Sequence, residues 1–284
     1  MALNFKSLLT RALTAAVFVA VLLSAIWCGY LSFNILFGII SLWGLHEFYK
    51  ISERLNAKPF KSIGFITTAL FFIANSGQYS YCSNLTISIS IGTMFLIFAL
   101  AIFSKNEKPI QDVAYTIAGI IYVGLPFALL NRISWMQEGI NNGKIFRGCD
   151  YNFHLILGPI LLIWASDTFA YLVGSLIGKR KLYERISPGK TWEGTIGGGV
   201  LTLASSYIVA GWFPEIAFVH WLVISALVVV FGTLGDLFES LLKRQVGIKD
   251  SGKIMPGHGG ILDRFDSLIF VTPFVYLYLT WVLN

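Results

Sequence analysis

Charge is what this sequence has least of. Only 13% of its 284 residues are Asp, Glu, Lys or Arg, against 56% hydrophobic residues, and the mean hydropathy is +0.71. A typical soluble domain carries about 25% charged residues, so that class is excluded and the lipid bilayer becomes the expected solvent. Cysteine is scarce too. Cys28, Cys82 and Cys149 are odd in number and show no CxxC spacing, which argues against a thiolate metal site or a redox pair. They are expected to be small apolar side chains, the less favoured alternative being a Cys82–Cys149 bridge on the outer face. No internal repeat, low-complexity tract or appended soluble domain interrupts the chain.

What the sequence does contain is a series of apolar runs. A helix that crosses the hydrocarbon needs roughly 20 apolar residues, and such runs lie at about 13–28, 31–48, 62–82, 85–103, 113–130, 154–177, 195–213, 217–240 and 265–283. The expected fold is therefore all-α, a polytopic bundle of nine transmembrane helices forming a single membrane domain over 1–284. Within it, 1–130 supplies amino-terminal helices and 154–284 supplies the catalytic helices and loops. The third run is the weakest, because its strongly apolar part, Ile63 to Ala74, is short and is followed by Asn75, Ser76 and Gly77. The first run follows Lys6 and Arg11 as a secretory signal would. No small-x-small cleavage site follows, and the second run begins at Leu31, so a retained helical hairpin is expected.

Basic residues give the orientation, since Lys and Arg are retained on the cytoplasmic side during insertion. With the amino terminus inside, all but three of the 21 Lys and Arg residues fall in cytoplasmic segments; the exceptions, Arg132, Lys144 and Arg147, share one outer loop. Adding or removing one helix would scramble that asymmetry. The net charge of +6 thus reflects topology and attraction for anionic lipid and phosphate, not a nucleic-acid footprint.

Ionisable residues inside the runs are the informative ones, because a carboxylate at mid-bilayer costs about 2.5–3.5 kcal/mol even on a lenient scale. Asp167 lies in the middle of the sixth run. Asp236 and Glu239 lie near the inner end of the eighth, with Lys243 four positions further, so one helical face carries two acids and a base. Asp263 and Asp266 repeat the three-residue spacing at the start of the ninth run. A single such pair could be favourable charge at a helix start; two at the cytoplasmic ends of neighbouring helices point to a site for hard divalent cations, which take oxygen ligands.

Between those pairs runs a loop dense in glycine and base, with Lys243, Arg244, Lys249, Asp250, Lys253 and the Gly257-His258-Gly259-Gly260 segment. Glycine lets backbone N–H groups approach phosphate oxygens, and Lys and Arg neutralise them. A merely lipid-attracting loop needs no permissive backbone. The other long cytoplasmic loop holds Ser187, Pro188, Gly189, Lys190 and Thr191. Gly189-Lys190-Thr191 is not a P-loop, since the required earlier glycine falls at Glu184 and no buried strand precedes it; a lysine and two hydroxyls remain available to a phosphate. His46 and Glu47, at the inner end of the second run, are compatible with a site role or with interfacial anchoring. His154 and His220 are expected to be structural.

The segment with Ser240, Lys243-Arg244, Lys249-Asp250, Gly252, Pro256-Gly257-His258-Gly259-Gly260, Asp263-Arg264 and Asp266 resembles the motif of the phosphatidate cytidylyltransferases, also called CDP-diacylglycerol synthases. Ser187 to Gly194 looks like a second block of that family and Ser166 to Tyr171 like a third. The resemblance covers roughly 154–270; the amino-terminal half matches only as hydrophobic helices. Met255 stands where the family has Leu, Ile or Phe, an apolar exchange of similar size. The resemblance implies Mg²⁺ dependence, a site facing the cytoplasm in the inner membrane, and a homodimer.

It further implies that CTP and phosphatidate react to give CDP-diacylglycerol and pyrophosphate in phospholipid biosynthesis. On that basis Asp236, Asp250, Asp263 and Asp266, with Asp167, are expected to ligate metal. Ser187, Lys190, Thr191, Lys243, Arg244, Lys249, Gly259, Gly260 and Arg264 are expected to contact the triphosphate or the lipid phosphate. His258 would orient a phosphate or donate a proton. Two rivals use similar groups: a CTP-dependent lipid kinase, which would release CDP, and an ion-coupled transporter, which would spread its polar residues along a path instead of crowding them at the cytoplasmic helix ends.

Overall fold

The computed structural model describes residues 5–76, 83–136, 151–214, 216–254 and 259–283. Cys82, Lys144, Arg147, Cys149, Met255 and His258 lie outside them. Nine helices stand among the described residues: α1 Phe5–Trp27, α2 Tyr30–Arg54, α3 Lys61–Ala74, α4 Ser83–Ile102, α5 Pro109–Ile133, α6 His154–Ile177, α7 Trp192–Trp212, α8 Phe218–Gln245 and α9 Leu262–Leu283. Six of them are long and apolar enough to span a membrane, and shorter apolar stretches occupy Ala12–Trp27, Lys61–Ala74 and Ile87–Ile102. This is the expected polytopic helical protein. An antiparallel hairpin, β1 Lys181–Tyr183 and β2 Ser187–Thr191, connects α6 to α7 and pairs Lys181 with Thr191 and Tyr183 with Ser187. Hydrophobic periodicity gave no sign of it, because neither strand has a face to bury.

The third helix stops at Ala74, well short of the expected residue 82. Asn75 turns its amide back to donate to the Phe71 carbonyl at 2.8 Å, a local bond that competes with helix continuation.

The chain divides into two compact units: Met1–Arg132 with Gln245–Phe265, and Ile133–Arg244 with Asp266–Asn284. In the first, α2 buries Phe33, Phe37, Ile40, Gly44, Leu45, Phe48 and Ser52 at helical spacing along one face. Phe37, Phe127 and Phe265 form an aromatic core with ring centroids 5.8–6.3 Å apart. Long-range polar bonds tie the helices and their loops: the Tyr49 hydroxyl donates to the Thr116 carbonyl at 3.0 Å, and buried Asp112 accepts from the Lys58 N–H and the Asn106 amide. A π turn at Ile120–Gly124 relaxes α5 where Pro126 cannot donate to the preceding turn.

In the second unit α6 and α7 pack backbone to backbone. A Cβ on Gly198 would lie 2.5 Å from the Ala170 nitrogen, so only glycine permits this approach. Fully buried Trp221 donates its indole N–H to the Phe213 carbonyl at 3.0 Å. Helices α8 and α9 also touch through backbone, since a Cβ on Gly235 would meet the Asp266 carbonyl oxygen at 2.6 Å, and the Ser267 hydroxyl donates to the Gly232 carbonyl at 3.2 Å. A π turn at Val228–Gly232 directly precedes this crossing.

Candidate functional site

The sequence-predicted residues fall into two groups, one in each unit. In the second unit, the close crossing of α8 and α9 brings Asp236 and Asp266 onto facing turns. Lys190, from the end of β2, reaches Asp236 and pairs with Oδ2 at 2.6 Å; both side chains are about a quarter to a third exposed, at 26% and 32%. Asp266 lies within electrostatic reach of Asp236, Asp167 and Lys190. Its Oδ1 accepts from the Ser267 N–H at 2.7 Å, and the Ser240 hydroxyl donates to Asp236 Oδ1 at 3.3 Å. Asp167 is exposed on α6 although it sits in the middle of an apolar helix. Asp266 thus has two further carboxylates and one lysine within electrostatic reach, an acidic grouping able to take a cation.

The hairpin that delivers Lys190 is tied down at several points. Thr191 is the N-cap of α7, its hydroxyl accepting from the Gly194 N–H at 3.2 Å. The Glu193 carboxylate accepts from the Lys179 N–H at 3.0 Å and the Arg180 N–H at 3.1 Å. Arg244 Nε donates to the Ile186 carbonyl at 3.4 Å. The Ser-Pro-x-Lys-Thr block is therefore a rigid mount for one lysine. Thr191 is buried and serves as a cap, while Ser187 is half-buried at the strand start. Lys243 pairs with Glu239, four residues earlier and only 1% exposed, so the acid-and-base face of α8 divides: Glu239 holds Lys243 and Asp236 holds Lys190.

The second group lies in the first unit and is built differently. Asp263, in the first turn of α9, accepts through Oδ2 from the Ser251 N–H at 2.8 Å, the Ser251 hydroxyl at 3.0 Å and the Gly260 N–H at 2.7 Å. Gly259 adopts φ +81°, and a Cβ there would strike the Asp263 carboxylate, so the glycine pair is needed for the backbone to wrap that side chain. Glu47 of α2 is 3% exposed; its Oε2 accepts from the Ser251 hydroxyl at 2.9 Å and the Leu262 N–H at 2.9 Å. Lys249, Asp250 and Arg264 are exposed around this knot.

Glu47 is the residue that sequence reasoning left undecided. An acid within an apolar helix was the available signal, but its partners lie more than 200 positions away. His154 stacks on Phe213 at 4.7 Å and His220 shares a 2.9 Å hydrogen bond with the Tyr278 hydroxyl, both packing roles.

Among the described residues no group of three or more His, Cys, Asp or Glu side chains closes into a metal cage. Mg²⁺ commonly binds through one or two carboxylates plus substrate phosphates. The oxygen donors of Asp236 and Asp266, two carboxylates on facing turns, fit that mode.

The model of the cytidylyltransferase family matches residues 9–282. The phosphatidate cytidylyltransferase of Bacillus subtilis (strain 168) is 36% identical over 275 residues, covering 95% of this chain and 96% of the relative. That of Staphylococcus saprophyticus is 35% identical over 274 residues, covering 95% and 98%, and that of Staphylococcus haemolyticus (strain JCSC1435) is 36% identical over 236 residues, covering 81% and 85%. The likeness is not confined to 154–270: the family match begins at residue 9 and runs through the amino-terminal helices.

Proposed function

The chain belongs to the cytidylyltransferase family, and from that membership we propose that it transfers the CMP moiety of CTP to phosphatidate, forming CDP-diacylglycerol and pyrophosphate. It is a multi-pass membrane enzyme, and its two substrates are a soluble nucleotide and a lipid. The observation that carries the reading is the group of Asp236, Asp266, Asp167 and Lys190, together with relatives named for this reaction along almost the whole chain.

A phosphate oxygen of phosphatidate attacks the α-phosphorus of CTP; a new P–O bond forms as the bond to the β-phosphate bridging oxygen breaks, and pyrophosphate leaves with the electron pair. The nucleophile is already anionic, so no protein nucleophile is required. What the protein must do is hold two anions together in line and stabilise the charge that moves onto the leaving group. Lys190, fixed by its rigid hairpin, is placed to exchange Asp236 for a phosphate oxygen. Asp236 and Asp266 would hold Mg²⁺, with Asp167 as a further candidate in the same unit; Asp250 and Asp263 belong to the other unit, where Asp263 is held by donors of the chain. Bound by Asp236 and Asp266, the ion would neutralise phosphate charge. Arg244 in the second unit, and Lys249 and Arg264 in the first, supply exposed positive charge for the triphosphate or the lipid headgroup, while Lys243 is paired with Glu239.

The basic-residue asymmetry supports a cytoplasmic amino terminus and a site facing the cytoplasm from the inner membrane. A homodimer is proposed on the family resemblance alone.

The test is incubation of the purified protein with phosphatidate, Mg²⁺ and CTP, with both products identified. CDP-diacylglycerol and pyrophosphate in equal amounts are expected. Release of CDP with a phosphorylated lipid would assign a CTP-dependent kinase instead, and ion flux in vesicles without nucleotide turnover would assign a transporter.

A further inference from the structure

Glu47 lies on α2, 204 positions before Ser251, and the reaction described above gives it no part. A buried carboxylate must be matched by hydrogen bonds or charge, so the bonds of Glu47 must answer for its presence. One oxygen, Oε2, takes both the Ser251 hydroxyl and the Leu262 N–H. It thereby clasps the two ends of the glycine-rich segment that leads into α9. The other oxygen, Oε1, is buried without a hydrogen-bond partner among the described residues. It faces Gly252 and Gly260, where any Cβ would collide with this carboxylate. The space around Glu47 is thus shaped by two glycines from the segment it holds.

Ser251 carries this arrangement onward. Its hydroxyl lies 2.9 Å from Glu47 Oε2 and 3.0 Å from Asp263 Oδ2, yet a hydroxyl has one hydrogen to donate. The two carboxylates share it, so Glu47 and Asp263 are coupled through Ser251. We propose that Glu47 is a positioning residue for the reaction: through Ser251 and the Leu262 N–H it fixes Asp263 and the Gly259–Gly260 backbone in the geometry that receives substrate phosphate. This rests on the cytidylyltransferase reading, and it makes α2 part of the catalytic apparatus as well as a membrane anchor.

The experiment compares wild type, Glu47→Ala, Glu47→Gln and Ser251→Ala as purified full-length proteins. It measures kcat, KM for CTP, thermal midpoint, and hydrogen exchange at the Ser251, Gly260 and Leu262 amides. Loss of a residue that orients a ligand-bearing group typically costs about 10–100-fold in activity. Glu47→Ala is expected to lose kcat on that scale and to speed exchange at those amides. Glu47→Gln keeps an oxygen acceptor and should recover most of both. Ser251→Ala should lower kcat by about 10-fold and speed exchange at Gly260 with an unchanged thermal midpoint.

Wild-type kcat and exchange in Ser251→Ala, or Glu47→Gln no better than Glu47→Ala, would overturn the proposal. If Glu47→Ala is not recovered from membranes, Ser251→Ala decides by the same criteria. A wild-type protein that makes no CDP-lipid defeats the functional reading itself, whereas an active wild type with indifferent variants defeats only the positioning role.

Discussion

The two carboxylate groups of this protein are satisfied in opposite ways. Asp263 and Glu47 are surrounded by donors from the chain itself: three bonds converge on one oxygen of Asp263 and two on one oxygen of Glu47, the five bonds coming from four donors, the Ser251 hydroxyl and the backbone N–H groups of Ser251, Gly260 and Leu262. Asp236 and Asp266 have few such bonds and instead face other charges, Lys190 and Asp167 among them. Carboxylates held by fixed backbone donors are already stabilised and serve to order their surroundings. Carboxylates opposed mainly by charged side chains and by one another remain available to a cation or to a substrate that brings one. The first group reads as a clasp and the second as the working group.

Substitutions can break that distinction. The largest effect is expected at the working group: Asp266→Asn or Asp236→Asn should abolish CTP-dependent CDP-lipid formation, measured on membranes containing normal amounts of protein, with little change in thermal midpoint. Asp263→Asn should abolish activity as well. Because three donors converge on its Oδ2, it should also lower the midpoint and speed amide exchange at Gly260, which Asp266→Asn should not do.

Lys190→Met comes next. Removal of one fixed electrostatic group costs about 10²–10³-fold in kcat, and steady-state kinetics with varied CTP should show the loss while the protein stays folded. Thr191→Val should cost about 1 kcal/mol of stability through loss of the α7 cap, read as a lower thermal midpoint, with a smaller loss of activity from the loosened Lys190 mount. The smallest effect is expected at Lys61, whose pair with Glu53 at 2.7 Å is a third or more exposed on both sides. Lys61→Ala should change stability by about 0–1 kcal/mol and leave turnover unchanged.

Much of the fold was legible because the bilayer simplifies the problem. Every span must satisfy its backbone internally, so long apolar runs become helices, and the sixth was placed at the bounds the structure shows, 154–177. The ends were less legible. Asn75 ends α3 through a side-chain bond that hydropathy does not register, and α8 runs beyond its apolar part to Gln245 because Asp236, Glu239 and Lys243 still lie on helical faces.

Within the candidate site, Asp236 and Asp266 were legible from spacing and Lys190 from the composition of its loop, and the structure sets Lys190 against Asp236. The hairpin that mounts Lys190 was not, since its order comes from Thr191, Glu193 and Arg244 acting on backbone groups and not from a periodic pattern. Glu47 was visible only as an anomaly. Its role depends on a pairing with Ser251 across most of the chain, which no local pattern encodes, and His258 lies outside the described residues.

The most direct measurement of the central claim follows the position of a label. With α-labelled CTP, phosphatidate and Mg²⁺, wild-type protein is expected to place the label in the lipid, and folded, membrane-inserted Asp266→Asn to place none there. Label that stays in soluble nucleotide with the wild type, or reaches the lipid undiminished with Asp266→Asn, would contradict the account.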